Sequence, residues 1–161
     1  MSQDGAFLSP ISIDEIGVGG VSLEVSKADR SGQNNVTITL STNRPDLIEG
    51  DGTSSATVAL AVEFSMRNEA GETVAEGKIR GGMKVSSPTS ALGSHDHLKI
   101  LRVNGVSILY GHFRSYIAML CGQTPLREFY LPTISPAAYV ELVEKSEVTQ
   151  KDAGTGATNL S

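Results

Sequence analysis

His95-Asp96-His97 is the densest group of potential ligands in the chain. Two imidazoles at i and i+2 reach one metal ion if they lie on a strand; on a helix they point apart. No third ligand stands at a metal-site spacing, so the motif reads as a solvated helix entrance or loop, with no metal. His112 sits beside Phe113 within a helical pattern. It could act as a base only for a nucleophile presented nearby, and no G-x-S-x-G turn exists to present one. Cys121 is the single cysteine. It cannot pair within the chain, it has no assignable activating base, and it ends an apolar stripe, so it reads as a small core hydrophobe. An enzyme would have to be built from His95, His97 or Cys121, and no constellation joins them in sequence.

Gly17-Val18-Gly19-Gly20 and Gly81-Gly82 are the glycine-rich stretches. A phosphate-binding loop needs a helix N-terminus directly after it, and here both stretches fall within strand patterns. They read as backbone bends. The carboxylate pairs Asp14-Glu15, Glu69 with Glu72, and Glu141 with Glu144 read as solvated faces. The predicted catalytic set is empty, and so is the predicted cofactor set.

The elements that position these residues divide the chain in two. Ile11–Ile16 and Val21–Val25 alternate as strand pieces around the glycine bend. Asn35–Ser41 alternates with Val36, Ile38 and Leu40 on one face. Arg44–Ala56 is a long connection. Thr57–Asn68 is the strongest strand, with Val58, Leu60, Val62, Phe64 and Met66 together. Asn68-Glu69-Ala70-Gly71 has the composition of a tight turn, and Glu72–Val85 returns from it.

After a break at Pro88–Ser94 the period lengthens. A short helical piece is expected at His95–Leu101. A long helix follows, with Asn104 as its cap and Val106, Leu109, Tyr110, Phe113, Ile117, Leu120 and Cys121 as its stripe. Gly122 is placed to stop it. Ser135 and Pro136 open a last helix over Ala137–Glu147, with Tyr139, Leu142 and Val143 apolar. Four antiparallel strands followed by two or three helices predict an α+β fold with the helices on one face of the sheet. The domain reading is a flexible N-terminus at residues 1–9, one folded domain at 10–148 and a disordered tail at 149–161.

Composition narrows the partners. The chain has 161 residues with 13 basic and 18 acidic side chains, net −5. That charge disfavours a nucleic-acid clamp. No apolar run is long enough for a membrane span, and the start lacks the charged and apolar regions of a secretory signal. A lone cysteine fits a reducing, cytoplasmic setting.

What the periodic elements leave over is apolar. Leu47 and Ile48 stand in the long connection, and Leu126, Phe129, Tyr130, Leu131 and Ile134 crowd the loop between the last helices. Either these segments fold back as satellite core, or they form an exposed apolar groove, which on a soluble protein marks partner binding. About 500 Å² of apolar contact would gross roughly 12 kcal/mol at 25 cal/mol per Å². Ordering and desolvation costs reduce this to a modest net affinity.

Three stretches carry a resemblance to SecB, the bacterial protein-export chaperone family. They are Ile11-Ser12-Ile13-Asp14-Glu15-Ile16 followed by Val21-Ser22-Leu23-Glu24, then Glu76-Gly77-Lys78-Ile79-Arg80-Gly81-Gly82-Met83, and then Ile108 to Ile117 continuing through Gly122-Gln123-Thr124-Pro125 to Tyr130-Leu131-Pro132. Where the family has an acidic residue used to dock the SecA motor, this chain has Gly20, while Glu24 remains. The family's Phe-Pro in the long helix corresponds to Tyr110-Gly111, and the L-x-P-type loop is one residue longer. The resemblance implies a SecB-like fold and a homotetramer assembled as a dimer of dimers. Its interface would use Ile11, Val21, Ile108, Tyr116 and Met119. It further implies a cytoplasmic holdase that keeps unfolded or preprotein clients translocation-competent for export. Leu47, Ile48, Phe129, Tyr130, Leu131 and Ile134 are the expected client contacts, and Glu24 the SecA-docking residue. The alternative is a dedicated adaptor of a single partner, as in toxin–antitoxin systems, without SecA docking.

Overall fold

The computed structural model describes residues 10–93 and 95–155. The expected frayed start at residues 1–9 and the end of the tail lie outside the described residues. Two compact units are present, Met1–Leu131 and Pro132–Ser161.

The first unit is built on an antiparallel sheet in the order β1-β5-β4-β2. Its strands are β1 (Ser12–Val25), β2 (Asn35–Thr42), β3 (Ile48–Gly50), β4 (Thr53–Arg67) and β5 (Thr73–Pro88), with β3 paired to β4. The turn between β4 and β5 matches its composition. Gly71 takes φ +80°, and Asn68 closes the turn by accepting from the Glu72 N–H at 2.9 Å. One face of β4 and β5 is sealed: Val58, Leu60, Val62, Phe64, Ile79, Met83 and Val85 are all buried. We call this the inner face.

β1 is a single strand, and its register explains its irregular spacing. Ile13, Ile16, Val18 and Val21 pair with Val85, Met83, Gly81 and Ile79, so all four belong to the inner face. Strict alternation forbids that. Two register shifts, between Ile13 and Glu15 and between Val18 and Gly20, each absorb one residue and restore the facing. The glycine bend thus coincides with the second bulge. The first, at Asp14, gives no sign in the sequence; there the Ser86 hydroxyl donates to the Asp14 carboxylate at 2.9 Å.

Helix α1 is a single turn (Thr89–Leu92) within the expected break. Helix α2 runs unbroken over His97–Gly122, correcting the expectation of a short piece followed by a helix capped at Asn104. Asp96 is the cap, its carboxylate accepting from the Lys99 N–H at 3.1 Å. The Asn104 amide instead donates to the Ile100 carbonyl at 2.8 Å, a bond available inside a helix. Of the stripe that the spacing predicts, Val106, Leu109, Tyr110, Phe113, Ile117 and Cys121 are buried and Leu120 is half-buried, while Leu101, ahead of it, is buried as well. A β-carbon at Gly105 would stand 2.7 Å from Val58 Cγ2, so the missing side chain is what lets α2 reach β4. A β-carbon at Gly81 would collide with the Gly17 carbonyl oxygen, and it would lie 3.2 Å from Phe113 Cζ.

In the second unit Ser135 accepts from the Ala138 N–H at 3.4 Å, and Pro136 opens α3 (Pro136–Thr155). The helix continues through residues 149–155, which the sequence reads as tail.

Candidate functional site

The expected client-contact residues divide by burial. Phe129 and Leu131 are 8% and 0% exposed, while Tyr130 between them is 64% exposed. Alternate residues of an extended segment point opposite ways, so two side chains anchor the segment and the third stands out. Phe129 stacks on Phe64, ring centroids 5.0 Å apart. The Arg114 guanidinium donates from Nε to the Leu131 carbonyl at 2.8 Å. Phe129 and Leu131 therefore face into the subunit, where burial of each aromatic or leucine side chain stabilises the chain by about 1.5–3 kcal/mol. Ahead of them Arg127 takes φ +47°, and the Thr124 hydroxyl donates to the Cys121 carbonyl at 2.9 Å, fixing the departure from α2.

Leu47 is half-buried and Ile48, at the start of β3, is 60% exposed. The sequence reading treats this stretch as plain connection and misses β3. A signal was present: Asp51-Gly52, with φ +52° and +72°, is the pair a two-residue hairpin favours. Ile134 is half-buried and belongs to the second unit.

Further apolar residues are also uncovered: Val21, an expected interface residue, and Ile13, Ile16 and Val36, to which the sequence assigned no role. At one sheet edge Ile13, Ile16 and Val21 are 48%, 41% and 39% exposed, although they share the inner face with buried partners. At the other edge Val36 is 37% exposed and pairs with buried Met66. The cause is geometric. Helix α2 packs on β4 and β5, the middle of the sheet, and the outer strands extend past it. On α2 itself Met119 is 55% exposed, while Ile108 and Tyr116 are half-buried. Ile11, next to β1, is half-buried as well.

The outer face of the sheet is different in kind. Glu24 on β1 lies directly opposite Glu76 on β5, an unfavourable like-charge pair. Next to it Lys78 and Glu63 form an ion pair across β5 and β4. Farther along, a recess of about 750 Å³ has small residues such as Gly17, Ala59, Ala61 and Gly82 in its lining, with Arg80 and Lys84 among its charged members.

The histidines and the cysteine do not form a catalytic group. The His95 ring approaches the Leu92 carbonyl at 3.0 Å, and His97 Nε2 lies 2.9 Å from the Gly93 carbonyl. Ser54, which touches His97, is fully buried. Cys121 is sealed in the core, and that burial pushes its thiol up, away from the reactive thiolate. Among the described residues no three His, Cys, Asp or Glu side chains gather around a metal-sized space, and no helix is long and apolar enough to cross a membrane.

No family model matches the chain, and no curated protein matches it in sequence. A solved structure does: the Mycobacterium tuberculosis SecB-like chaperone Rv1957 in complex with a ChAD peptide from the Rv1956 HigA1 antitoxin. The match has a TM-score of 0.51 at 20% identity, covering 78% of this chain and 91% of that one. The chain therefore has a SecB-like α+β fold, with an antiparallel sheet followed by its helices.

Proposed function

We propose that this protein is a non-enzymatic, cytoplasmic chaperone that holds extended, non-native polypeptide on apolar surface left open at the edges of its sheet. The observation that carries this reading is the uncovered inner face. Ile13, Ile16 and Val21 at one edge and Val36 at the other are exposed on that face, and Ile48 on β3 and Tyr130 after α2 are exposed as well. Apolar exposure of that kind marks a surface that binds a partner. Two occupants share that surface. The β1 edge, with Ile11 and Val21, pairs with a second copy, and Ile108, Tyr116 and Met119 on α2 join the resulting dimers into a tetramer. The other edge, with Leu47 and Ile48, takes the client, and Tyr130 and, in the second unit, Ile134 are proposed as further client contacts. Phe129 and Leu131 serve it indirectly, as the anchors that present Tyr130. No cofactor is needed, because holding a client away from aggregation is mass action on its unfolded state.

The Glu24–Glu76 pair supports a docking role for Glu24. Two carboxylates held opposite each other are relieved by a cationic partner, and in the export reading that partner is the SecA motor. A second reading, a dedicated adaptor for one partner, is favoured by one observation: the chaperone of matching fold was solved with a peptide from an antitoxin.

The test is suppression of aggregation of a chemically unfolded client, with the native mass measured on the same sample. Suppression by a tetramer is the expected result, and a monomer without suppression ends the proposal. Competition separates the two readings. Unrelated unfolded chains displace the client from a general holdase and leave a dedicated adaptor's partner in place.

A further inference from the structure

The short strand β3 is held at one point by a side chain from outside the sheet. Its backbone pairs only at Ile48↔Ser55, Glu49↔Ser54 and Gly50↔Thr53. His97, the first residue of α2, lies across this pairing. Its Nδ1 stands 3.2 Å from the Ser54 hydroxyl and 3.5 Å from Glu49 Oε1. The same hydroxyl lies 3.1 Å from Thr89 Oγ1 on α1. The imidazole is 13% exposed and the Glu49 side chain 57%.

The far side of the ring decides what Nδ1 does. Nε2 faces the Gly93 carbonyl at 2.9 Å, and a carbonyl only accepts, so Nε2 carries a proton in either charge state. In the neutral ring Nδ1 is then an acceptor. It takes the Ser54 hydroxyl and offers nothing to the Glu49 carboxylate. In the charged ring Nδ1 becomes a donor, and Glu49 is the carboxylate within reach. Protonation therefore adds an attachment between β3 and α2 and releases the Ser54 hydroxyl toward Thr89 or Glu49. The titratable groups around the ring are Glu49 from β3 and, on its own helix, Asp96 and Lys99. Asp96 is engaged as the helix cap, and β4 and α1 present the hydroxyls of Ser54 and Thr89. The α2 N-terminus opposes a positive charge at this position, which keeps the attachment modest.

We propose that His97 is a positioning residue for the client-contact segment: with its ring charged, it fastens β3, and with it Leu47 and Ile48, to the start of α2, and with its ring neutral it holds only Ser54 of β4. The assignment rests on the proposed client role of Ile48 only for its consequence, not for the fastening itself.

The experiment is hydrogen exchange on the full-length chain without client, read as protection factors so that the intrinsic pH dependence cancels. Wild type, Glu49→Gln and His97→Gln are compared across the range of pH 5 to 8 in which imidazoles change charge. The expected result is protection over residues 48–50 that rises by about twofold to fivefold toward acid pH, the span of a half-exposed ion pair. Protection over α2 should not change with it. Glu49→Gln removes the rise, and His97→Gln, which still hydrogen-bonds but never charges, gives a flat profile. Protection in wild type that ignores pH, or a rise that persists in Glu49→Gln, overturns the proposal. Because no client is present, failure of the chaperone reading would leave this result standing. Conversely, a chain that suppresses aggregation but shows no rise in β3 protection sinks only the fastening.

Discussion

Phe129 lies stacked on Phe64 of β4, with the ring planes 29° apart. Phe64 in turn covers Gly77 of β5, where a β-carbon would stand 2.5 Å from its ring. The segment after α2 is therefore pinned to the middle of the sheet by a ring that sits where a neighbouring strand has no side chain. This pin separates stability from binding at adjacent residues. Phe129→Ala empties a buried site and should cost about 3–5 kcal/mol of unfolding free energy. Tyr130→Ser, at an exposed neighbour, should leave stability within about 0.5 kcal/mol. It should weaken client binding roughly tenfold, as loss of a large apolar contact does. Denaturant melts and client titrations on both variants check the pair. Equal effects on stability would mean that Tyr130 is also part of the core.

The approach of α2 to β4 at Gly105 makes a second prediction. Gly105→Val places side-chain atoms where Val58 already stands, and overpacking of this kind costs about 1–3 kcal/mol. Trimming the obstacle should return part of the loss. The double variant Gly105→Val with Val58→Ala is expected to melt above the single Gly105 variant. A double variant that simply adds the two losses would place the strain elsewhere.

Cys121 and Tyr110 predict how the fold meets alkali. Burial raises the thiol above its ordinary 9.0 and the phenol above its ordinary 10.0, with Arg114 working against the second shift. The unfolded chain gives up these protons first. Their contribution to stability is thus full below pH 9.0 and is lost as pH climbs through the folded values. Melts between about pH 8 and about pH 10 should show the fall, shallower in Cys121→Ala, in keeping with a thiol that titrates near 8.5–9 when exposed. Alkylation of the thiol should be slow in the native protein and fast in denaturant.

The sheet and the long helix were legible because their residues repeat at the period of the element. Val58 to Met66 at every second position and Leu109, Phe113 and Ile117 at every fourth leave little choice of facing. The α2 N-terminus was misplaced because Asn104 is a capping residue by type, whereas in the fold its amide bonds the Ile100 carbonyl inside a helix that Asp96 caps. The burial of the expected client-contact residues was half legible. An apolar loop says that something is covered, but Phe129 and Tyr130 are adjacent in sequence and opposite in fate, and only the stacking on Phe64 distinguishes them. The uncovered Ile13, Ile16 and Val36 were hidden for another reason. Each sits in a proper strand pattern, and its exposure depends on how far one helix reaches across the sheet.

The facing carboxylates Glu24 and Glu76 give the last prediction. Directly opposed like charges on a solvated sheet face are unfavourable, so a neutral residue at either position should raise stability by about 0.2–1 kcal/mol. On the proposed docking role, a partner bringing positive charge relieves the pair. Glu24→Gln and Glu76→Gln should each melt slightly higher than wild type, keep full aggregation suppression, and bind a lysine-rich docking segment more weakly. The binding loss should shrink as salt rises, because ions screen a contact made at an exposed face. If the glutamine variants are stabilised and still bind the cationic segment as wild type does, the pair is a tolerated blemish of the sheet rather than a docking point, and the dedicated-adaptor reading gains over export.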